Sequence, residues 1–323
     1  MQAIRRILVA ISDPSADVLP AVAKGARIAK ACNAHLEIFH SIKASVFANS
    51  PAAYDDAVSD LHNTQRMQYL QRLGRIAARV RLHGVKVSTA VEYDFPAHEA
   101  IIRRARAIGA DLIIAGQNCD DRRSPRLLKL TDWELLRHSP LPVLLVKHTR
   151  PYRHPTVLAA VDPGHTHAKP PELDQEILDG GLALAQPLGG KLHAVHAYAP
   201  VVMGSAASSV PASVAARLDG IARAEAKSLF EATLAERDIP KTRRHLLGKS
   251  PEDAIEQVAR RTRADIVVMG ALSRSGLKRL FIGNTAERLL DELPCDVLVV
   301  KPQQFACHVP TRCNGPRLLA RIA

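Results

Sequence analysis

Four short stretches from the first half of the chain return, in the same order, in the second half. "RRILVAISDP" (Arg5 to Pro14) comes back as "PTVLAAVDPG" (Pro155 to Gly164), each an apolar run closing on Asp-Pro. "HLEIFHSI" (His35 to Ile42) matches "KLHAVHAY" (Lys191 to Tyr198), with His40 falling on His196. "GADLIIAG" (Gly109 to Gly116) matches "RADIVVMG" (Arg263 to Gly270), and "SPLPVLLVK" (Ser139 to Lys147) matches "LPCDVLVVK" (Leu293 to Lys301). A repeat of this kind fixes the architecture before any single residue is read. The repeating unit is about 150 residues, an ordinary domain size.

Inside each unit, short β-branched runs alternate with longer segments of helical periodicity. Ala16 to Cys32 and Glu172 to Leu188 read as the first helix of their units, and Pro51 to Val85 and Pro211 to Asp238 as the second. His98 to Ile108 and Glu252 to Thr262 read as the third, each just after a proline that suits a helix start. Thr131 to Arg137 and Asn284 to Glu292 read as the fourth, each halted by proline. Strands that are apolar on both faces and separated by helices imply a parallel sheet covered on both sides. The expected fold is therefore α/β: two tandem, doubly wound, five-stranded parallel sheets of flavodoxin-like order 3-2-1-4-5. The expected organisation is a first domain over 1–149, a second over 150–305, and a C-terminal tail over 306–323.

Composition narrows the function classes. The chain has 323 residues, 47% hydrophobic and 24% charged, as soluble globular proteins do. No apolar run approaches the roughly 20 residues of a membrane span, and the N-terminal run reaches Asp13 too early for a signal peptide. The cytoplasm is the expected compartment. Five scattered cysteines do not outline a disulfide framework. Cys307, His308 and Cys313 alone do not complete a four-ligand zinc site, so no metal ligands are assigned. The net charge is +12, yet aromatic residues are only 4%, which leaves little to stack on bases. Solvated helix faces account for most of the basic residues, and nucleic acid is not the expected partner.

In a doubly wound sheet, ligands sit beyond the carboxyl ends of the strands, where the first and fourth strands part. In the second unit Asp162 ends the first strand and Gly270 the fourth. The stretch from Gly270 to Gly283 carries Ser273, Arg274, Ser275 and Lys278, and Asn284-Thr285 then looks like a helix start with a capping side chain. Two readings fit. Free N–H groups and the helix dipole would cradle a phosphate, or Gly270 is a strand-end turn and Gly283 a helix-packing glycine. No P-loop or dinucleotide fingerprint is present, and no nucleophile–base–acid arrangement stands out. His196 reads as a satisfied imidazole near the crevice.

The second unit resembles the universal stress protein family, and the whole chain, from about residue 4 to 301, resembles its tandem E-type form. In ATP-binding members the fourth strand ends in Gly-x-x-Gly and is followed, after a fixed interval, by Gly-Ser/Thr. Gly270 and Gly283 keep the total interval, Ser273 stands at the second glycine, and Asn284 at the Ser/Thr. "GNTAE" (Gly283 to Glu287) and "TDW" (Thr131 to Trp133) are similar to the E-type members in particular. The resemblance implies ATP or another phosphate-bearing ligand, with Mg²⁺ as a candidate companion held by Asp162 and phosphates. Val161, Asp162 and Ala197 would meet the adenosine, Met269 and Gly270 its other side, and Ser273, Gly283, Asn284 and Thr285 the phosphates. It also implies an internal pseudo-dimer paired through the fifth strands, with a homodimer as a further candidate assembly. Binding and stress survival are the implied role, with hydrolysis slow at most. The alternatives are a scaffold or regulatory interaction protein with no functional nucleotide site, or a binder of a nucleotide-linked apolar ligand.

The first unit departs from this pattern. The same interval counted from Gly116 lands on Lys129, and no glycine occurs between Gly116 and Gly164. "QNCDDRRSPRLLK" is charged and bulky where a cradle is small, so the first unit is not expected to bind ATP in the family manner.

Overall fold

Strand β1 (Arg6–Ala10) buries Ile7, Leu8 and Val9 on successive positions, so both of its faces are covered. The computed structural model describes residues 3–43, 56–116, 130–164, 172–200, 211–270, 290 and 292–312. Among these, the chain divides into two compact units, one from Ala3 to Pro151 joined by the segment beginning at Ala306, the other from Tyr152 to Phe305.

The first unit runs β1, α1 (Pro20–Cys32), β2 (His35–Ile42), α2 (Asp56–Arg81), β3 (Val87–Tyr93), α3 (Ala97–Ala107), β4 (Leu112–Gly116), α4 (Leu130–His138), β5 (Val143–Val146). Its strands lie in the order β3-β2-β1-β4-β5, and every pairing is parallel. The second unit runs β6 (Thr156–Ala160), α5 (Glu172–Ala185), β7 (Lys191–Tyr198), α6 (Ala212–Thr233), β8 (Arg244–Gly248), α7 (Pro251–Thr262), β9 (Ile266–Gly270), β10 (Asp296–Val300). Its order is β8-β7-β6-β9-β10, again all parallel. Each unit thus has the expected 3-2-1-4-5 sheet. The helix expected from Ala16 starts only at Pro20, whose fixed φ suits the first turn. The fourth helix expected over Asn284 to Glu292 falls almost wholly outside the described residues.

Local chemistry sets the element ends. Ser250 caps α7: its hydroxyl accepts from the Asp253 N–H at 3.2 Å, Pro251 opens the helix, and Arg260 and Arg261 close it against the dipole. Arg263 then turns in the left-handed region (φ 50°) and delivers the chain to β9. At the amino end of each sheet an aspartate ties strand one to strand four. Asp111 Oδ2 accepts from the Arg5 and Arg6 N–H groups at 2.8 and 2.9 Å, and Asp265 Oδ2 accepts from the Thr156 N–H at 2.9 Å.

The segment after Ala306 joins the first unit through named contacts. Val309 is buried, Pro310 O accepts from Arg103 at 3.3 Å, and Arg106 reaches Cys307 Sγ at 3.7 Å. Among the described residues, Cys32, Cys295 and Cys307 are reduced and form no disulfide. Among the described residues no helix is long and apolar enough to cross a membrane.

Candidate functional site

The carboxyl ends of β7, β6 and β9 lie side by side in the second unit, and the chain leaves each of them at a residue singled out above. Val161 continues β6: its N–H donates to Val195 O at 3.0 Å. The register Ala159 opposite Val268 carries Val161 and Asp162 to the same sheet end as Met269 and Gly270. Ala197 stands on β7, paired in register with Leu247 of β8. The fold therefore brings Val161, Asp162, Ala197, Met269 and Gly270 to one end of three neighbouring strands. Ser273, Gly283, Asn284 and Thr285 lie outside the described residues.

Two buried polar groups shape the loop after β6. The Asp162 N–H donates to Asp174 Oδ1 at 3.0 Å, and Asp174, in the first turn of α5, is only 2% exposed. His196 is buried beside Phe230, ring centroids 5.8 Å apart, with Nδ1 3.3 Å from Val161 O. A carbonyl can only accept, so Nδ1 carries the proton in this contact and is not a base there. Asp174 and Phe230 were not singled out in the sequence. A carboxylate in the first turn of the helix that follows a ligand-side loop is the signal that would have found Asp174.

Gly270 has a packing reason of its own. A Cβ there would lie 2.6 Å from Leu173 Cδ2 and 2.8 Å from Leu173 Cγ, so α5 sits against bare backbone. The first unit does the same with a smaller partner, since a Cβ on Gly116 would lie 2.9 Å from Ala21 Cβ on α1. A glycine at the end of strand four is thus favoured by helix packing in both halves, whether or not a ligand is held.

The equivalent end of the first unit is furnished differently. His40 repeats the histidine contact, with Nδ1 2.9 Å from Ile11 O and its ring 4.7 Å from Tyr69. Burial lowers its pKa, opposed by the Ile11 carbonyl and the charge of Asp13. Asp13 Oδ1 accepts from the Ser15 N–H at 2.8 Å, which turns the loop on its own side chain. Arg72 of α2 donates to Ser15 Oγ at 2.7 Å and lies 5.6 Å over the Tyr69 ring, tying helix to loop. Residues 117–129, with the charged replacement for the cradle, are outside the described set.

The comparisons now decide the family. The universal stress protein family model matches residues 3–147 and again 155–301. The chain belongs to the universal stress protein family. Universal stress protein E of Escherichia coli K12 is 30% identical over 227 residues, covering 70% of this chain and 72% of that one. Universal stress protein E of Photorhabdus laumondii is 26% identical over 304 residues, 94% of this chain and 96% of its relative. A solved structure from Pseudomonas aeruginosa PAO1, described as functionally unknown, aligns with a TM-score of 0.71 at 28% identity over 93% of this chain and 94% of that one. The chain is a tandem stress-response protein of E-type likeness, with two universal stress protein domains matched end to end.

Proposed function

We propose that the second domain binds ATP or another phosphate-bearing metabolite at the carboxyl ends of β6, β7 and β9. The observation that supports this most is the convergence of Val161, Asp162, Ala197, Met269 and Gly270 on that sheet end. The loop starting after Gly270 keeps the interval from Gly270 to Gly283 of ATP-binding members, with Ser273 at the second glycine, and Ser273, Gly283, Asn284 and Thr285 would supply its phosphate contacts. Asp162, with its backbone braced by Asp174, would face Mg²⁺ once phosphates and waters complete the shell. An N–H cradle binds phosphate without positioning a water, so hydrolysis is slow at most and the role is binding and signalling in the cytoplasm.

A second reading, a scaffold without a nucleotide, has one observation in its favour: packing against Leu173 alone already accounts for a glycine at 270. Mass spectrometry of small molecules released from natively purified protein separates the two. A nucleotide in the wild type, lost in Gly283→Lys, supports the binding reading. An empty protein that also ignores added ATP favours the scaffold.

A further inference from the structure

The first domain carries a cluster that the nucleotide reading does not use. His98 lies in the first turn of α3, while Glu134 and His138 lie one turn apart on α4. One ligand atom from each of the three falls within 4.8 Å of the others. His138 Nε2 is 3.1 Å from Glu134 Oε2, and the His98 and His138 rings stack with centroids 5.6 Å apart at 27°.

We propose that His98, Glu134 and His138 form a binding site for a divalent transition-metal ion of the Zn²⁺ class, bridging α3 and α4. Spacing i,i+4 puts Glu134 and His138 on one face of α4, and His98 meets that face from the neighbouring helix. Zinc–ligand bonds of about 2.0–2.1 Å set tetrahedral ligand atoms roughly 3.4 Å apart. The cluster must therefore tighten by about an ångström, a shift that rotamer changes supply in side chains that keep solvent access. Glu134 and His138 are 24% and 33% exposed, so neither is locked in a core.

A histidine–glutamate hydrogen bond on a helix needs no metal, and by itself it would be ordinary. Two features exceed that explanation. The first is His98, which comes from another helix and brings a second imidazole to the same carboxylate. The second is Arg137, whose Nη1 donates to Glu134 Oε1 at 2.8 Å. That contact leaves Oε2 as the oxygen facing the imidazoles, and it orients the carboxylate as outer-shell partners of metal ligands do. Binding replaces the His138–Glu134 hydrogen bond, and any proton it held on Nε2 leaves to solvent. Two imidazoles and one carboxylate suit Zn²⁺, Co²⁺ or Ni²⁺ rather than Mg²⁺ or Ca²⁺. Three protein ligands leave a further position for water.

Cobalt titration of the full-length protein tests this, because Co²⁺ reports its ligands in its absorption spectrum. One equivalent is expected to bind with the visible bands of a nitrogen- and oxygen-ligated ion, without a thiolate charge-transfer band, and Zn²⁺ is expected to displace it. His98→Gln and His138→Gln should each weaken binding by about 10-fold or more. Their circular dichroism should match the wild type, and Glu134→Gln provides an independent third ligand change if one of them fails to fold. Zn²⁺ should raise the melting temperature of the wild type, and raise that of His98→Gln by less at the same concentration. Thiolate bands would assign the metal to the Cys307–Cys313 tail instead. Those bands, affinity unchanged in the variants, or no saturable binding at micromolar metal would each overturn the site.

Discussion

The two domains place different chemistry on the same spot of the same sheet. In the first, the third residue of strand two is Glu37. Its carboxylate takes Arg104 of α3 at 2.6 Å and Ser88 of β3 at 3.3 Å. In the second, the third residue of strand two is His193. It meets His245 of β8 at 3.0 Å with the rings nearly parallel, and Arg261 of α7 lies 2.9 Å from the other nitrogen of His245. Both spots keep an arginine from the third helix. One gives it a carboxylate, the other a pair of imidazoles. At the opposite end of the sheets, both domains keep a buried histidine on the strand-one carbonyl and a glycine under the first helix, yet brace the following loop differently. The duplication held its packing constant and let the polar groups around it diverge.

The largest expected effect breaks the comparison at that loop. Leu173, which touches Gly270, is followed by Asp174; Ala21, which touches Gly116, is followed by Val22, 4% exposed. Val22→Asp should cost about 3–5 kcal/mol in denaturant unfolding, the scale of an uncompensated buried charge. Asp174→Val should cost less, about 1–3 kcal/mol, for the Asp162 N–H left without its acceptor. A Val22→Asp penalty under about 1 kcal/mol would mean that both loops accept the same brace, and the contrast would fail.

A smaller effect sharpens the glycine comparison. Gly270→Ala pushes a methyl into Leu173, a side chain that can turn, and about 1–3 kcal/mol of overpacking is expected. In a Leu173→Ala background the same change should be nearly neutral, giving a coupling energy of about 0.5–3 kcal/mol. Gly116→Ala meets Ala21 Cβ, which has no rotamer to change, so α1 must move and the penalty should be at least as large. Additive single and double mutants would deny the packing role of Gly270.

Much of this was legible because the repeat and the strand hydrophobicity are strong, local signals. β2 and β7 coincide with the repeated stretches His35 to Ile42 and Lys191 to Tyr198, and the sheet order follows from strands too apolar to face water. The meaning of Gly270 was not legible, because a packing glycine and a cradle glycine look alike until Leu173 is placed. The exceptions to the solvated basic faces were not legible for a related reason. Arg103 is buried and forked onto Asp94 at 2.7 Å with Glu99 at 2.8 Å, and Arg104 pairs with Glu37 and Glu92. Arg244 pairs with Glu231 and Arg260 with Glu256. Carboxylates on other elements draw Arg103, Arg104 and Arg244 into ion pairs, whereas Arg260, 60% exposed, keeps the i,i+4 pair of a solvated helix face. The His98, Glu134 and His138 cluster was missed for the same cause, since its third member comes from another helix.

The smallest predicted effect is a pH response confined to one domain. Burial, then Arg261, then His193 lower the pKa of His245 to about 4, and burial with nearby Arg243, Lys191 and Arg261 lowers that of His193. An unfolded histidine titrates near 6.5, so the unfolded chain takes up these protons first as pH falls. The neutral pair therefore contributes stability that is fully present above about 6.5 and is lost as pH falls through the folded value near 4. In the first domain, Glu37 instead raises the pKa of Arg104, which stays charged across that window. The melting temperature of the wild type should decline between pH 7 and 4.5, and His245→Gln should flatten part of that decline. Because both imidazoles are partly exposed, solvent screens the effect and a shift of only a few degrees is expected, about the scale of 1 kcal/mol or less. An identical slope in the variant would show that this spot, despite its different chemistry, behaves as its carboxylate counterpart does.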